Sequence, residues 1–407
     1  MHRILGPVVC VLLSVSALGQ QVSPHALQAV QTIRELRSIG IPDDEQNNPP
    51  AKVPGLLRQL NTQLKALIAE TLNDHKRLGT IASAEEIFSQ LRAAGWDEIP
   101  PNKWNAYGEI KAIDLGLSSS GYNPGLLPVF TELWIPCGNT DPDSALYIFE
   151  GRARDWKLIL TTDADFDTTS ELKNSGMQFS LSPPDHDGHW FLVVAHTPPT
   201  CRSAPGDLRY KVLRPGPSPD EPQIIFKAQK HLDARFSPPF RLQTEDDEFS
   251  ITTGKTRKLD GEPGVSILRY NVVGNEVIRT QPLALTAEDF IDEWAQLDWN
   301  YASLWSSKLE DANLREWHAK LESLANDSTE IQDVQRCPQK SGADASWLVN
   351  LWIDRKQNPS SNDQQLYIDV SQRNHVLYVD SVTQSRPTDC LTGKGHRKLA
   401  SWELPEW

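Results

Sequence analysis

The chain is 407 residues long and carries 54 acidic against 40 basic side chains, for a formal charge of −14. That balance disfavours a nucleic-acid partner and an anionic membrane surface, since both require a basic face. With 39% hydrophobic residues, 29 prolines and 13 tryptophans, the composition predicts two or three loop-rich domains with aromatic-anchored cores.

The first nineteen residues read as a secretory signal peptide. His2 and Arg3 give a positive start, Ile4 to Leu18 an apolar run, and Ala17-Leu18-Gly19 a small-x-small cleavage site. The expected localisation is secreted or periplasmic. No other stretch approaches the ~18 consecutive apolar residues of a membrane helix, so no integral membrane segment is expected after signal removal. Cys10 sits inside the apolar run behind bulky Val9, which is the wrong context for a lipid anchor. The remaining cysteines are Cys137, Cys201, Cys337 and Cys390. Export favours disulfides, and four cysteines allow about three connectivities. The pairs Cys137–Cys201 and Cys337–Cys390 are preferred because each stays within one proposed domain.

Residues 20–105 have a helical pattern. Ser23-Pro24 reads as an N-cap followed by proline in the first turn, with Leu27, Val30, Ile33 and Leu36 on one stripe. A polar linker over Asp43 to Lys52 leads to a second helix from about Val53 to Leu78. Ser83-x-x-Glu86 is a capping box that opens a third.

From about Ile110 the period shifts toward two. Short strand candidates follow at Phe130 to Ile135, Leu146 to Phe149, Trp156 to Leu160, Met177 to Leu181, Trp190 to Ala195, Leu208 to Leu213 and Ile224 to Phe226. Others lie at Phe240 to Thr244, Phe249 to Thr252, Val265 to Val273 and Glu276 to Arg279, with Gly274-Asn275 as a two-residue hairpin turn. Thr286-x-x-Asp289 then starts a helix bearing Phe290, Ile291, Trp294 and Leu297. Further helix lies within Ala302 to Leu324, and strands return after Ile331. The strand triplet after Leu133-Trp134-Ile135 is echoed after Leu351-Trp352-Ile353, as a duplicated unit or as ordinary strand composition would produce.

The expected fold class is α+β and multidomain. A signal peptide (1–19) precedes a helical N-terminal element (20–105) and a central antiparallel β-rich domain of sandwich, barrel or partial-propeller type (106–285). A C-terminal α+β domain (286–407) follows, with helices preceding an antiparallel sheet.

Polar clusters supply the candidate sites. Asp185-His186-Asp187-Gly188-His189 mixes carboxylate and imidazole, which suits a divalent metal. On extended chain only alternate residues, Asp185, Asp187 and His189, share a side. Turn chemistry alone also explains this composition. Asp163, Asp165 and Asp167 alternate like the opening of a calcium loop, but Thr168 and Asn174 occupy the positions where that loop needs Gly and Glu. No nucleophile elbow, HExxH helix or phosphate loop is present in the sequence. Lys255-Thr256-Arg257-Lys258 reads as solvated surface, and Glu288/Asp289 with Asp292/Glu293 as the solvated face of a helix. Trp294, Trp299, Trp305 and Trp317 read as core rather than sugar-stacking platforms.

The leading expectation is a non-catalytic binding or scaffold protein of the cell envelope or extracellular space. Its partner would be a protein, carbohydrate or small-molecule ligand, and not nucleic acid. The alternatives are a metal-assisted hydrolase using Asp185 and His189, and a small-ligand pocket in the C-terminal domain. No cofactor is expected other than a divalent metal at the acidic clusters.

Overall fold

The computed structural model describes residues 22–39, 50–80, 82–98, 107–116, 125–134, 143–163, 175–197, 207–231, 240–280, 286–307, 312–324, 329–338, 342–353, 364–374 and 376–390. The signal segment, Cys10, Cys137, Cys201, Asp165 and Asp167 lie outside them, as do Trp402 and Trp407.

Three helices come first: α1 (Pro24–Arg37), α2 (Val53–Leu78) and α3 (Ala84–Ala93). The Ser23 hydroxyl accepts from the backbone N–H of His25 at 3.2 Å, Ser83 and Glu86 close the capping box, and α2 ends at left-handed Gly79, φ 70°. The first sheet is β1 (Ile110–Leu115), β2 (Leu126–Leu133), β3 (Asp143–Gly151) and β4 (Trp156–Asp163). The second is β5 (Ser175–Leu181), β6 (Leu192–Thr197), β7 (Asp207–Ser218) and β8 (Glu221–His231). The third is β9 (Phe240–Glu245), β10 (Glu248–Thr256), β11 (Pro263–Val273) and β12 (Glu276–Arg279). Helices α4 (Ala287–Trp294), α5 (Trp299–Ala302) and α6 (Ala312–Leu324) intervene, with a 3₁₀ turn at Ser303–Trp305. The fourth sheet is β13 (Thr329–Arg336), β14 (Ala345–Ile353), β15 (Gln364–Arg373) and β16 (Val376–Thr383). Each sheet is an antiparallel meander in chain order. The α+β, multidomain architecture expected from the sequence is therefore present.

The layers follow from which side chains each strand turns to either side. Val129, Leu133, Ala145, Tyr147 and Phe149 of the first sheet pack under α1–α3. Leu146, Ile148 and Leu160 point the other way, onto Met177, Leu181, Leu192, Val194 and Leu213 of the second sheet. β3 therefore lies between two apolar layers, and Ser144 to Phe149 are buried without alternation. The opposite face of the second sheet, with Val193, Tyr210 and Val212, meets Phe249, Ile251, Leu268 and Tyr270 of the third. Most strands are longer than the apolar runs suggested. β8, for example, extends to eleven residues because Ser218 pairs with Glu221 and closes a long ribbon with β7. The Gly274 turn joins β11 to β12 with φ 59°.

In the fourth sheet, Leu351, Ile353, Ile368, Val370, Val379 and Val382 pack against Phe290, Ile291, Trp294, Trp305, Trp317 and Leu321. The Trp294 Nε1–H donates to Ala302 O at 3.0 Å, and His318 stands edge-on to the indole at 4.9 Å. Trp294, Trp305 and Trp317 belong to this core and Trp299 packs against it, as expected from the sequence. Cys337 and Cys390 form the expected disulfide, Cα–Cα 5.1 Å, tying the end of β13 to the segment after β16.

The sequence echo falls on equivalent second and third strands of the first and fourth sheets, but the registers differ. Leu351 faces Leu366 directly, whereas Leu146 faces Phe130 rather than Leu133. The pairing therefore follows strand composition and lends no support to duplication. Among the described residues no helix is long and apolar enough to cross a membrane.

Candidate functional site

Two charged assemblies stand out. The first is the tip of the β5–β6 connection. Asp185 builds the turn itself, because its Oδ1 accepts from the backbone N–H groups of His189 at 2.8 Å and Asp187 at 2.9 Å. Its backbone N–H donates to His189 O, and Gly188 supplies the left-handed residue, φ 79°. One carboxylate oxygen is thereby fixed and Oδ2 is left facing His189 Nδ1 at 3.5 Å. The metal-ligating atoms of Asp185, Asp187 and His189 lie within 4.8 Å of one another, all three exposed. Slight desolvation acts against ionisation of Asp185, but the two backbone N–H groups and the nearby imidazoles outweigh it and hold its carboxyl below the usual range.

His186 points to Asp187, Nε2–Oδ2 3.2 Å, from outside that trio. His196 is 1% exposed within the second sheet. Burial, reinforced by Lys211 and Arg209, pushes its pKa down to about 3, so it is a neutral interior group far from any ligand role at the tip. Asp163 ends β4, and its side chain is outside the described set.

The second assembly joins the two segments whose sequence predicts solvated faces, and the structure corrects both. Thr286 caps α4 by accepting from Asp289 N–H at 3.1 Å. The acidic edge of α4 then presses onto the third sheet, where Asp292 is fully buried and Asp289 is 4% exposed. Lys255 Nζ reaches Asp292 Oδ2 at 2.7 Å, while Asp292 Oδ1 accepts from Leu259 N–H at 3.0 Å. Arg257 grips Asp260 through Nε and Nη2 and lies 3.6 Å from Asp289. Arg279 pairs with Glu293 at 2.6 Å. Burial raises the Asp289 carboxyl above its ordinary range against the pull of Lys255 and Arg257. The cations come from β10, β12 and the β10–β11 turn, Lys255 standing 37 residues before Asp292 and Arg279 14 before Glu293, and local sequence gives no sign of this meeting. Its carboxylates are occupied by cations, and the assembly acts as a latch between the third sheet and α4.

No family model matches the chain, and no curated protein does. Solved structures align loosely. A thermostable family-43 glycoside hydrolase covers 70% of this chain and 80% of its own at 8% identity and TM-score 0.24. A mannose phosphorylase from Leishmania mexicana covers 73% and 78% at 8% identity and TM-score 0.23. A levansucrase from B. megaterium covers 66% and 68% at 11% identity and TM-score 0.24. Scores this low carry no argument for an activity in this chain. The expectation of a non-catalytic binding or scaffold protein finds no support among them and is not carried further: the structures that align are those of enzymes named for carbohydrate chemistry.

Proposed function

We propose that this chain is an exported, carbohydrate-directed protein in which Asp185, Asp187 and His189 hold a divalent cation that takes sugar hydroxyls. The observation behind this reading is the convergence of three ligand atoms within 4.8 Å at an exposed tip. Two carboxylates and an imidazole suit Mn²⁺ or Zn²⁺. An ion bound at about 2.1 Å from each ligand requires a slightly tighter trio, so binding draws the tip inward. An exposed cation with three protein ligands keeps open positions, and a vicinal diol fills two of them at once. Carbohydrate, one of the ligand classes expected from the sequence, is the first to test, because its vicinal diols suit such a pair of open positions. Export is supported by the pattern of residues 1–19 and by the Cys337–Cys390 disulfide, which suits an oxidising compartment.

Equilibrium dialysis of the full chain against Mn²⁺ and Zn²⁺, followed by a glycan-binding and glycan-turnover panel with and without chelator, tests the reading. One ion per chain and chelator-sensitive glycan recognition are expected, both lost in His189→Ala. Stoichiometry unchanged in His189→Ala, or glycan recognition indifferent to chelator, overturns it.

A further inference from the structure

The apolar layer between the second and third sheets ends in polar side chains. Phe249, Ile251 and Thr253 are buried along β10, and Ser266, Leu268, Tyr270 and Val272 along β11. Thr253 stands directly opposite Ser266 in the ladder. Lys230 reaches across from β8, and its Nζ donates to the Ser266 Oγ. Ser266 is 2% exposed and Thr253 1%.

Hydrogen-bonding capacity is left over here. The Thr253 Oγ1 is buried without a partner, which is unfavourable for any hydroxyl removed from water. An ammonium carries three donors, and Lys230 uses one of them on Ser266. Among the described residues no carboxylate lies within ion-pair distance of Lys230. Asp292 is taken by Lys255 and Glu293 by Arg279. The groups facing Lys230 cancel, Lys255 and Arg279 against Asp292 and Glu293, so the charge of Lys230 itself is the cluster's positive surplus. Burial pushes the Lys230 amine down to about 8. Lys255 and Arg279 add to that shift, and Glu293 and Asp292 oppose it.

We propose that Lys230, Ser266 and Thr253 form a binding site for a small oxyanion, a carboxylate or a phosphate, at the polar end of the layer between the second and third sheets. The anion accepts from the two remaining Lys230 N–H groups and from the Thr253 hydroxyl. The Ser266 hydroxyl accepts from Lys230 and keeps its own proton to donate. Bound charge offsets the cationic surplus and holds Lys230 protonated. This site is independent of the Asp185–His189 tip.

Calorimetric titration of the full chain with inorganic phosphate and, separately, with acetate tests it. Saturable binding of one anion per chain is expected, and the preferred anion tells a tetrahedral ligand from a planar one. Lys230→Gln should weaken binding at least ~10-fold, Lys230→Arg should retain most of it, and Thr253→Val should weaken it ~3- to 10-fold. Acetate is charged throughout the neutral and alkaline range, so its affinity should fall as pH rises through 8. Absence of saturation by either anion up to about 10 mM, or undiminished binding in folded Lys230→Gln, overturns the proposal. If Lys230→Gln fails to fold, Thr253→Val decides, because it keeps the shape of the side chain and removes only the hydroxyl. Unchanged affinity in that variant is contrary to the site.

Discussion

The Asp185–His189 tip and the latch beneath α4 draw on the same chemistry in opposite surroundings. At the tip, the Asp185 and His189 side chains are 43% and 63% exposed, and backbone N–H groups rather than cations orient the key carboxylate. At the latch, Asp292 has no exposed surface and Lys255 only 15%, and the acid is held by both an ammonium and a backbone N–H. Water solvates the first arrangement and is excluded from the second. A solvated carboxylate can trade its water for a cation with little rearrangement. A buried one has already committed its lone pairs, and its loss strands the partner charge. The residue types therefore do not separate a binding site from a structural joint; burial and prior partnering do.

Breaking the latch should have the largest effect. Asp292→Ala strands Lys255 and the Leu259 N–H, and should cost about 3–5 kcal/mol in urea denaturation of the full chain. Replacing both partners, Lys255→Met with Asp292→Leu, should cost clearly less, because no buried charge remains alone. Equal losses in the single and double variants would mean that the pair does not act as a unit.

A pH series separates interior from surface in another way. The folded pKa of His196 is about 3 against an ordinary value of 6.5, so the unfolded chain binds the extra proton between those limits. Its stabilisation is complete above pH 6.5 and is lost as pH falls toward 3, at no more than about 1.4 kcal/mol per pH unit. Asp289 has the opposite sign: its raised carboxyl takes a proton more readily in the folded chain and softens the acid loss. His196→Gln should flatten the slope over that range, and an unaltered slope would remove His196 from the account.

Smaller effects sharpen the contrast. Thr286→Ala removes the α4 cap on the latch side and should cost about 1 kcal/mol, seen as a modest fall in the urea midpoint. At the tip, His189→Ala should change stability by no more than about 0.5 kcal/mol while reducing cation affinity at least ~10-fold. A large stability loss there would make the tip a structural element.

Much of this architecture was legible locally. The Ser23 cap, the Ser83–Glu86 box and the Gly274-Asn275 turn are short-range signals, and helices and hairpin stand where those signals put them. The trio at the tip was named from sequence on a different geometry: a turn closed by Asp185 and left-handed Gly188, not alternation on extended chain, brings the three side chains together. The latch was not legible locally. Glu288, Asp289, Asp292 and Glu293 carry the same pattern as any solvated helix face, and Lys255 and Arg257 that of any surface strand end. Their burial depends on α4 docking over the third sheet, a tertiary event with no local signature. Lys230, Ser266 and Thr253 escaped notice for the same reason, because β8 and β11 belong to different sheets.

The most direct test of the cation assignment is anomalous diffraction from crystals of the full chain soaked with Mn²⁺ or Zn²⁺. One strong peak is expected within bonding distance of Asp185 Oδ2, an Asp187 carboxylate oxygen and a His189 ring nitrogen, with the β5–β6 tip drawn inward. A tip without a peak at saturating ion, or a peak bound only elsewhere in the chain, would contradict the assignment.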